Sequence, residues 1–118
     1  MTLEEVVTIL DCEILNGRQQ LRQKVETGCG CDLMSDVLAF IKPHGLLLTG
    51  LINSQVIRTA EMADIRAICF VRGKKPGEDV IALAREQGLP LLTTSIPLFE
   101  ACGLLYQNGL VGCSEHQD

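Results

Sequence analysis

The sequence predicts an α/β domain of three layers, a mostly parallel sheet with helices on both faces. Uniformly apolar runs recur at Leu46–Thr49, Ala67–Val71 and Leu91-Leu92, as expected of strands covered on both sides. Each run is followed by a segment whose apolar residues recur at helical spacing. Glycine, proline and capping residues punctuate the junctions between them. Strands alternating with helices build parallel units, and right-handed crossovers set their local topology.

The elements follow in order. Thr2 and Glu5 fit a capping box, and Leu3, Val6, Val7 and Leu10 form one apolar stripe behind it. Glu13–Leu15 reads as a short strand closed by the turn dipeptide Asn16-Gly17. The polar, glycine-punctuated stretch Arg18–Gly30 is expected to be an irregular hairpin or loop. Asp32 is placed to cap a helix with Leu33, Val37 and Phe40 or Ile41 inward, ending before Pro43.

Three strand–helix units come next. After Leu46–Thr49 and Gly50, Asn53 or Ser54 caps a helix that buries Val56, Ile57, Ala60 and Ala63. After Ala67–Val71 and Arg72-Gly73, a helix starts near Pro76-Gly77 with Glu78 and Asp79 in its first turn. It buries Val80, Ile81 and Ala84 and ends at Gly88. After Leu91-Leu92 and Thr93-Thr94-Ser95, a last helix has Pro97 in its first turn. It buries Leu98, Ala101, Cys102 and Leu105 and stops at Gly109. The 118 residues thus make one domain, residues 1–110, with 111–118 as a polar, frayed C-terminal tail.

Composition removes several classes of function. A net charge of −5 speaks against nucleic-acid and anionic-membrane partners. Only 3% of residues are aromatic and none is Trp, so stacking on bases has few platforms. The longest apolar runs fall far short of a membrane span. No basic segment followed by an apolar run opens the chain, so a cytoplasmic location with reduced thiols is expected despite six cysteines.

In an open parallel sheet, ligands sit outside the carboxyl ends of the strands. Thr49 and Gly50 with Asn53 fall there, as do Arg72, Gly73, Lys74 and Lys75, and then Thr93, Thr94 and Ser95. Hydroxyls, backbone N–H groups beside glycines and a cationic cluster suit an anion such as a phosphate. The same residue types are those that turns and caps require. No P-loop or GxGxxG motif is present, so no cofactor is expected.

Cys29-Gly30-Cys31 is the one local cysteine pairing. As an alternative it begins a metal or iron–sulfur site, completed by Cys12, Cys113 or His116 through tertiary proximity. Cys69 and Cys102 read as small core hydrophobes. Cys29 with His44 is a conceivable nucleophile and base, but no third member orients them. No enzymatic activity is expected.

Several stretches resemble the DRTGG domain family. They are Cys31-Asp-Leu-Met-Ser-Asp-Val-Leu-Ala-Phe40 with Gly45-Leu-Leu-Leu-Thr-Gly50, and Val56-Ile-Arg-Thr-Ala-Glu-Met-Ala-Asp-Ile65 with Ala67-Ile-Cys-Phe-Val-Arg-Gly73. Ala82-Leu-Ala-Arg-Glu-Gln-Gly-Leu-Pro-Leu-Leu-Thr-Thr94 and Phe99-Glu-Ala-Cys-Gly-Leu-Leu-Tyr106 extend the likeness over nearly the whole chain. The name-giving Asp-Arg-Thr-Gly-Gly string is absent; Val25-Glu26-Thr27-Gly28-Cys29 stands in its place.

The resemblance implies a fold like the N-terminal domain of HPr kinase, separate from that enzyme's P-loop domain. It also implies a regulatory, often dimeric role without transferable catalytic residues. Such domains accompany phosphotransacetylases, nucleotide-sensing pyrophosphatases and cobyrinic-acid-synthase-like proteins, and some stand alone near hydrogenase components. The expected function is therefore a non-catalytic, homodimeric, ligand-sensing domain for an anionic or phosphorylated metabolite or a nucleotide. The alternatives are an accessory protein of a redox enzyme, holding metal through Cys29 and Cys31, and a scaffold that docks a protein partner.

Overall fold

The computed structural model of the chain describes residues 1–114. The capping box forms as the sequence predicts. The Glu5 backbone N–H donates to Thr2 Oγ1 at 3.1 Å, and the Thr2 backbone N–H donates to Glu5 Oε1 at 2.8 Å. Those bonds from Thr2, backbone first, hold the Glu5 carboxyl below the usual carboxylate range. Helix α1 then runs Leu3–Leu10 and buries Leu3, Val6 and Leu10. Strand β1 covers Glu13–Asn16. The chain leaves it through Gly17, whose φ of 92° lies in the left-handed region. A side chain there would be strained and would meet Pro90 at 2.9 Å. This turn enters a short 3-10 helix, Arg18–Gln20, rather than closing a hairpin.

The expectation of loop or hairpin as far as Gly30 is corrected: Thr27–Gly30 is a strand, β2. Helix α2 covers Met34–Phe40, and its N-cap is Leu33. Asp32 therefore does not cap it. Starting at Met34 turns the face: Met34 and Val37 are buried, while Leu33 and Phe40 point outward at 58% and 63% exposure. Strand β3 (Leu46–Thr49), helix α3 (Ser54–Met62), strand β4 (Ala67–Phe70) and helix α4 (Glu78–Gln87) follow. Strand β5 (Leu91–Thr93) and helix α5 (Leu98–Gln107), with Pro97 as its N-cap, complete the units. Residues 111 and 112, expected in a frayed tail, form a short strand β6 (Val111–Gly112).

The sheet is six-stranded, in the order β1-β5-β4-β3-β2-β6. Among the described strands of this sheet, only the β1–β5 pairing is antiparallel. The fully buried strands divide their side chains between two cores, because successive residues point to opposite faces. Leu46, Leu48, Ala67, Cys69 and Leu92 meet α1 and α5 on one face. Leu47, Ile68, Phe70 and Leu91 meet α2, α3 and α4 on the other. This is the three-layer α/β architecture that the apolar runs predict. No helix among the described residues is long and apolar enough to cross a membrane.

Candidate functional site

The parallel order β5-β4-β3-β2 brings four strand ends to one edge of the sheet. Thr49 stands beside Phe70 and Phe70 beside Thr93, so the three form one row across β3, β4 and β5. Thr49 and Thr93 are thus two strand spacings apart, roughly 10 Å. Asn53 stands at the same edge as the N-cap of α3, its side chain accepting from the Gln55 N–H at 3.1 Å. Arg72 and Gly73 make the turn after β4 with φ of 60° and 71°. The antiparallel β1 adds Glu13, which stands opposite Thr93. All nine expected ligand-contacting residues, Thr49, Gly50, Asn53, Arg72, Gly73, Lys74, Thr93, Thr94 and Ser95, therefore lie along this edge.

What those residues do there differs from the sequence reading. The Thr49 hydroxyl and the Gly50 N–H both donate to Asp32 Oδ1, each at 2.8 Å. Asp32 reaches them from the loop after β2, so the anion held at the end of β3 is the chain's own carboxylate. The Gly73 N–H donates to the Thr94 carbonyl at 2.8 Å, and the Arg72 N–H donates to the Ile96 carbonyl at 3.0 Å. The Thr93 and Thr94 hydroxyls donate to the Lys74 and Leu10 carbonyls, both at 2.7 Å. Backbone donors at strand ends must be paired, and here the protein pairs them internally. The expected cradle of free N–H groups is corrected accordingly.

The side-chain cations remain. Lys75 is paired with Glu13 at 2.9 Å. Arg72 and Lys74 are exposed and have no carboxylate partner among the described residues. A hollow of about 230 Å3 opens at the same turn, lined by Asp11, Gly73, Thr93, Thr94, Ser95 and the Lys75–Glu13 pair, with neither Arg72 nor Lys74 in its wall. A second concavity of about 550 Å3 runs from Arg72 to Phe99 on α5. A third, of about 580 Å3, lies at the opposite edge of the sheet, where His44 Nε2 meets Asp64 Oδ2 at 3.0 Å. His44 is thereby engaged with Asp64 rather than with Cys29.

Cys29 in β2 and Cys31, just after its end, both pack against the α2–α3–α4 core. The Leu33 N–H donates to Cys31 Sγ at 3.4 Å. No group of three or more His, Cys, Asp or Glu side chains that could hold a metal ion is assembled among the described residues. His116, named with the metal alternative, lies outside those residues. Burial, then the neighbouring Cys113 thiol, pushes the Cys29 thiol up to about 12. In an unfolded chain it would ionise from near 9. The folded state favours the neutral thiol, so stability is expected to fall as the pH rises from about 9 toward 12. Urea unfolding at neutral and alkaline pH checks this, with Cys29→Ala showing a smaller loss.

The family described as DRTGG domain matches residues 5–107. Among solved structures, the fold is similar to a crystal structure of the CBS and DRTGG domains of a pyrophosphatase regulatory region from Clostridium perfringens. That protein was complexed with its activator, diadenosine tetraphosphate. The TM-score is 0.72 at 17% identity, with 90% of this chain covered. The chain spans 46% of that chain's length. No curated protein sequence matches the chain.

Proposed function

The chain belongs to the DRTGG domain family, and on that premise we propose that it is a non-catalytic, homodimeric regulatory domain that senses an anionic or phosphorylated metabolite or a nucleotide. The observation that carries the reading is the contrast within one turn. Lys75 is neutralised by Glu13, whereas Arg72 and Lys74 stand exposed at the carboxyl edge with no carboxylate partner among the described residues. Two adjacent uncompensated cations suit a phosphate group, which forms charge-assisted bonds to both. Ser95 and Gly73 border a hollow at this turn whose wall also carries Asp11 and Glu13, so the phosphate is placed on the outer, cationic side of the turn. The nucleotide activator of the similar pyrophosphatase region supports the ligand class. The dimer is supported by Phe99 and Tyr106, exposed at 87% and 70% along α5.

Signalling follows from differential affinity: a ligand that favours one state of the dimer or of a partner contact shifts the population toward it. The first test is a thermal-shift series with inorganic phosphate, acyl phosphates and adenine nucleotides, with sedimentation recording the oligomeric state. A ligand at a hundred times its Kd adds about 2.7 kcal/mol. Arg72→Ala is expected to weaken the ligand found by about 1.5 kcal/mol, roughly tenfold in Kd by calorimetry. Unchanged affinity in that variant would remove Arg72 from the site, and the absence of any shift would sink the sensor reading.

A further inference from the structure

We propose that Cys29 and Cys113 form a reversible disulfide that fastens strand β6 to strand β2. The argument starts from register. Thr27 stands beside Val111 and Gly28 beside Gly112 in parallel pairing, and continuing that register by one residue sets Cys29 beside Cys113, which directly follows β6. Neighbours across a parallel ladder are about 4.8 Å apart and point to the same face. That spacing falls inside the Cα separation of about 4.4–6.8 Å that a disulfide spans.

The side chains agree with the backbone. Cys113 Sγ donates to the carbonyl of Gly28, the residue before Cys29, at 3.8 Å, which holds it against β2. Both cysteines are free thiols, partly exposed. Strand β6 is two residues long and borders the sheet on one side only. A strand so short has few ladder bonds of its own, and a covalent tie changes how firmly it is held. Its residues Val111 and Gly112 help to line a cleft of about 200 Å3 against α5, which the tie would set.

The oxidant is a low-molecular-weight disulfide of the glutathione type. The Cys113 thiolate attacks one sulfur of that disulfide, forming a mixed disulfide and releasing one small thiol. Cys29 then loses its proton and displaces the second small thiol, closing the Cys29–Cys113 bond. Two protein thiols are oxidised and one small disulfide is reduced to two thiols, which carry away the two protons. The order follows from burial: the Cys29 thiol is pushed up to about 12, in part by the charge of Cys113. Once Cys113 is bonded to sulfur, that charge is gone and Cys29 ionises more readily.

A second thiol pair provides the internal control. Cys12 Sγ and Cys69 Sγ are 3.9 Å apart, but Cys69 is fully buried. The experiment equilibrates the whole protein in glutathione buffers of graded poise and reads intact mass, peptide cross-links and melting temperature. The expected result is the loss of two hydrogens, with one cross-linked peptide pair joining Cys29 to Cys113. Closing a loop of this length is expected to raise Tm by about 10 °C. Cys113→Ser should abolish both changes, and Cys12→Ser should preserve them. A cross-link mapping to Cys12–Cys69 or Cys29–Cys31 would overturn the proposal. So would a protein that stays reduced in excess disulfide, or one that stops at a mixed disulfide on Cys113.

Discussion

Phe70→Ala is expected to destabilise the domain by about 3–5 kcal/mol in urea unfolding. Phe70 is the largest fully buried side chain, at 0% exposure, and it ends the β4 strand in the α2–α3–α4 core. The chain has only four aromatic residues, and Phe40, Phe99 and Tyr106 are exposed. Nothing else of that volume is present to collapse into the cavity, so the cost belongs at the upper end of the range. A domain of this size has about 5–15 kcal/mol in total. The loss therefore approaches the margin of folding. Phe70→Leu, which keeps most of the volume, should cost less than about 1.5 kcal/mol.

The consequence reaches the strand ends. Phe70 stands between Thr49 and Thr93 in the row across the sheet. Its carbonyl accepts from the Thr94 N–H at 2.9 Å. A β4 end that shifts into the cavity would carry the Arg72–Gly73 turn with it, so ligand affinity should fall alongside stability. If Phe70→Ala unfolds at the wild-type urea midpoint, the two-core description of the sheet is wrong at its centre.

The strands that proved legible are those whose residues are buried on both faces. Leu46–Thr49, Ala67–Phe70 and Leu91–Thr93 announce themselves because burial on both faces makes them apolar throughout, save for the hydrogen-bonded threonines that end β3 and β5. Strand β2 has no such signal: Thr-Gly-Cys-Gly carries little strand propensity. Its glycines are explained only by tertiary approach. A Cβ at Gly28 would meet Leu110 at 2.8 Å, and one at Gly30 would meet Cys102 Sγ at 2.5 Å. The Leu110 and Cys102 side chains fill the space that a Cβ would take, so a larger residue there would require them to move. Two-residue β6 is likewise invisible without its partner.

The candidate site was legible in its placement and illegible in its bonding. Turn and cap residues at the ends of apolar runs mark the carboxyl edge, because strand–helix units put them there. Nothing local reveals that Asp32 turns away from the helix it precedes toward a threonine 17 residues on. A helix-start aspartate is ordinarily a cap, and only the fold decides that Leu33 takes that position while Asp32 serves β3. The Cys29–Cys113 pairing is hidden for the same reason, since the two residues meet only when β2 and β6 align.

Asp32→Ala is expected to cost about 2–3 kcal/mol, although Asp32 itself lies at the surface. One carboxylate oxygen accepts from both the Thr49 hydroxyl and the Gly50 N–H. Thr49 is at 0% exposure, so water cannot freely replace what the carboxylate supplies. Asp32→Asn keeps an acceptor oxygen without the charge, and an intermediate loss is expected from it. The variant also separates two views of the edge. With the internal carboxylate gone, the hydroxyl and N–H it held are vacated next to the turn carrying Arg72. Inorganic phosphate should then raise the melting temperature of Asp32→Ala more than that of the wild type, offsetting part of the loss. If the variant unfolds at the wild-type urea midpoint, the clasp contributes nothing to stability. If it is destabilised but indifferent to phosphate, Asp32 is a structural strut, and anion sensing must rest on Arg72 and Lys74 alone.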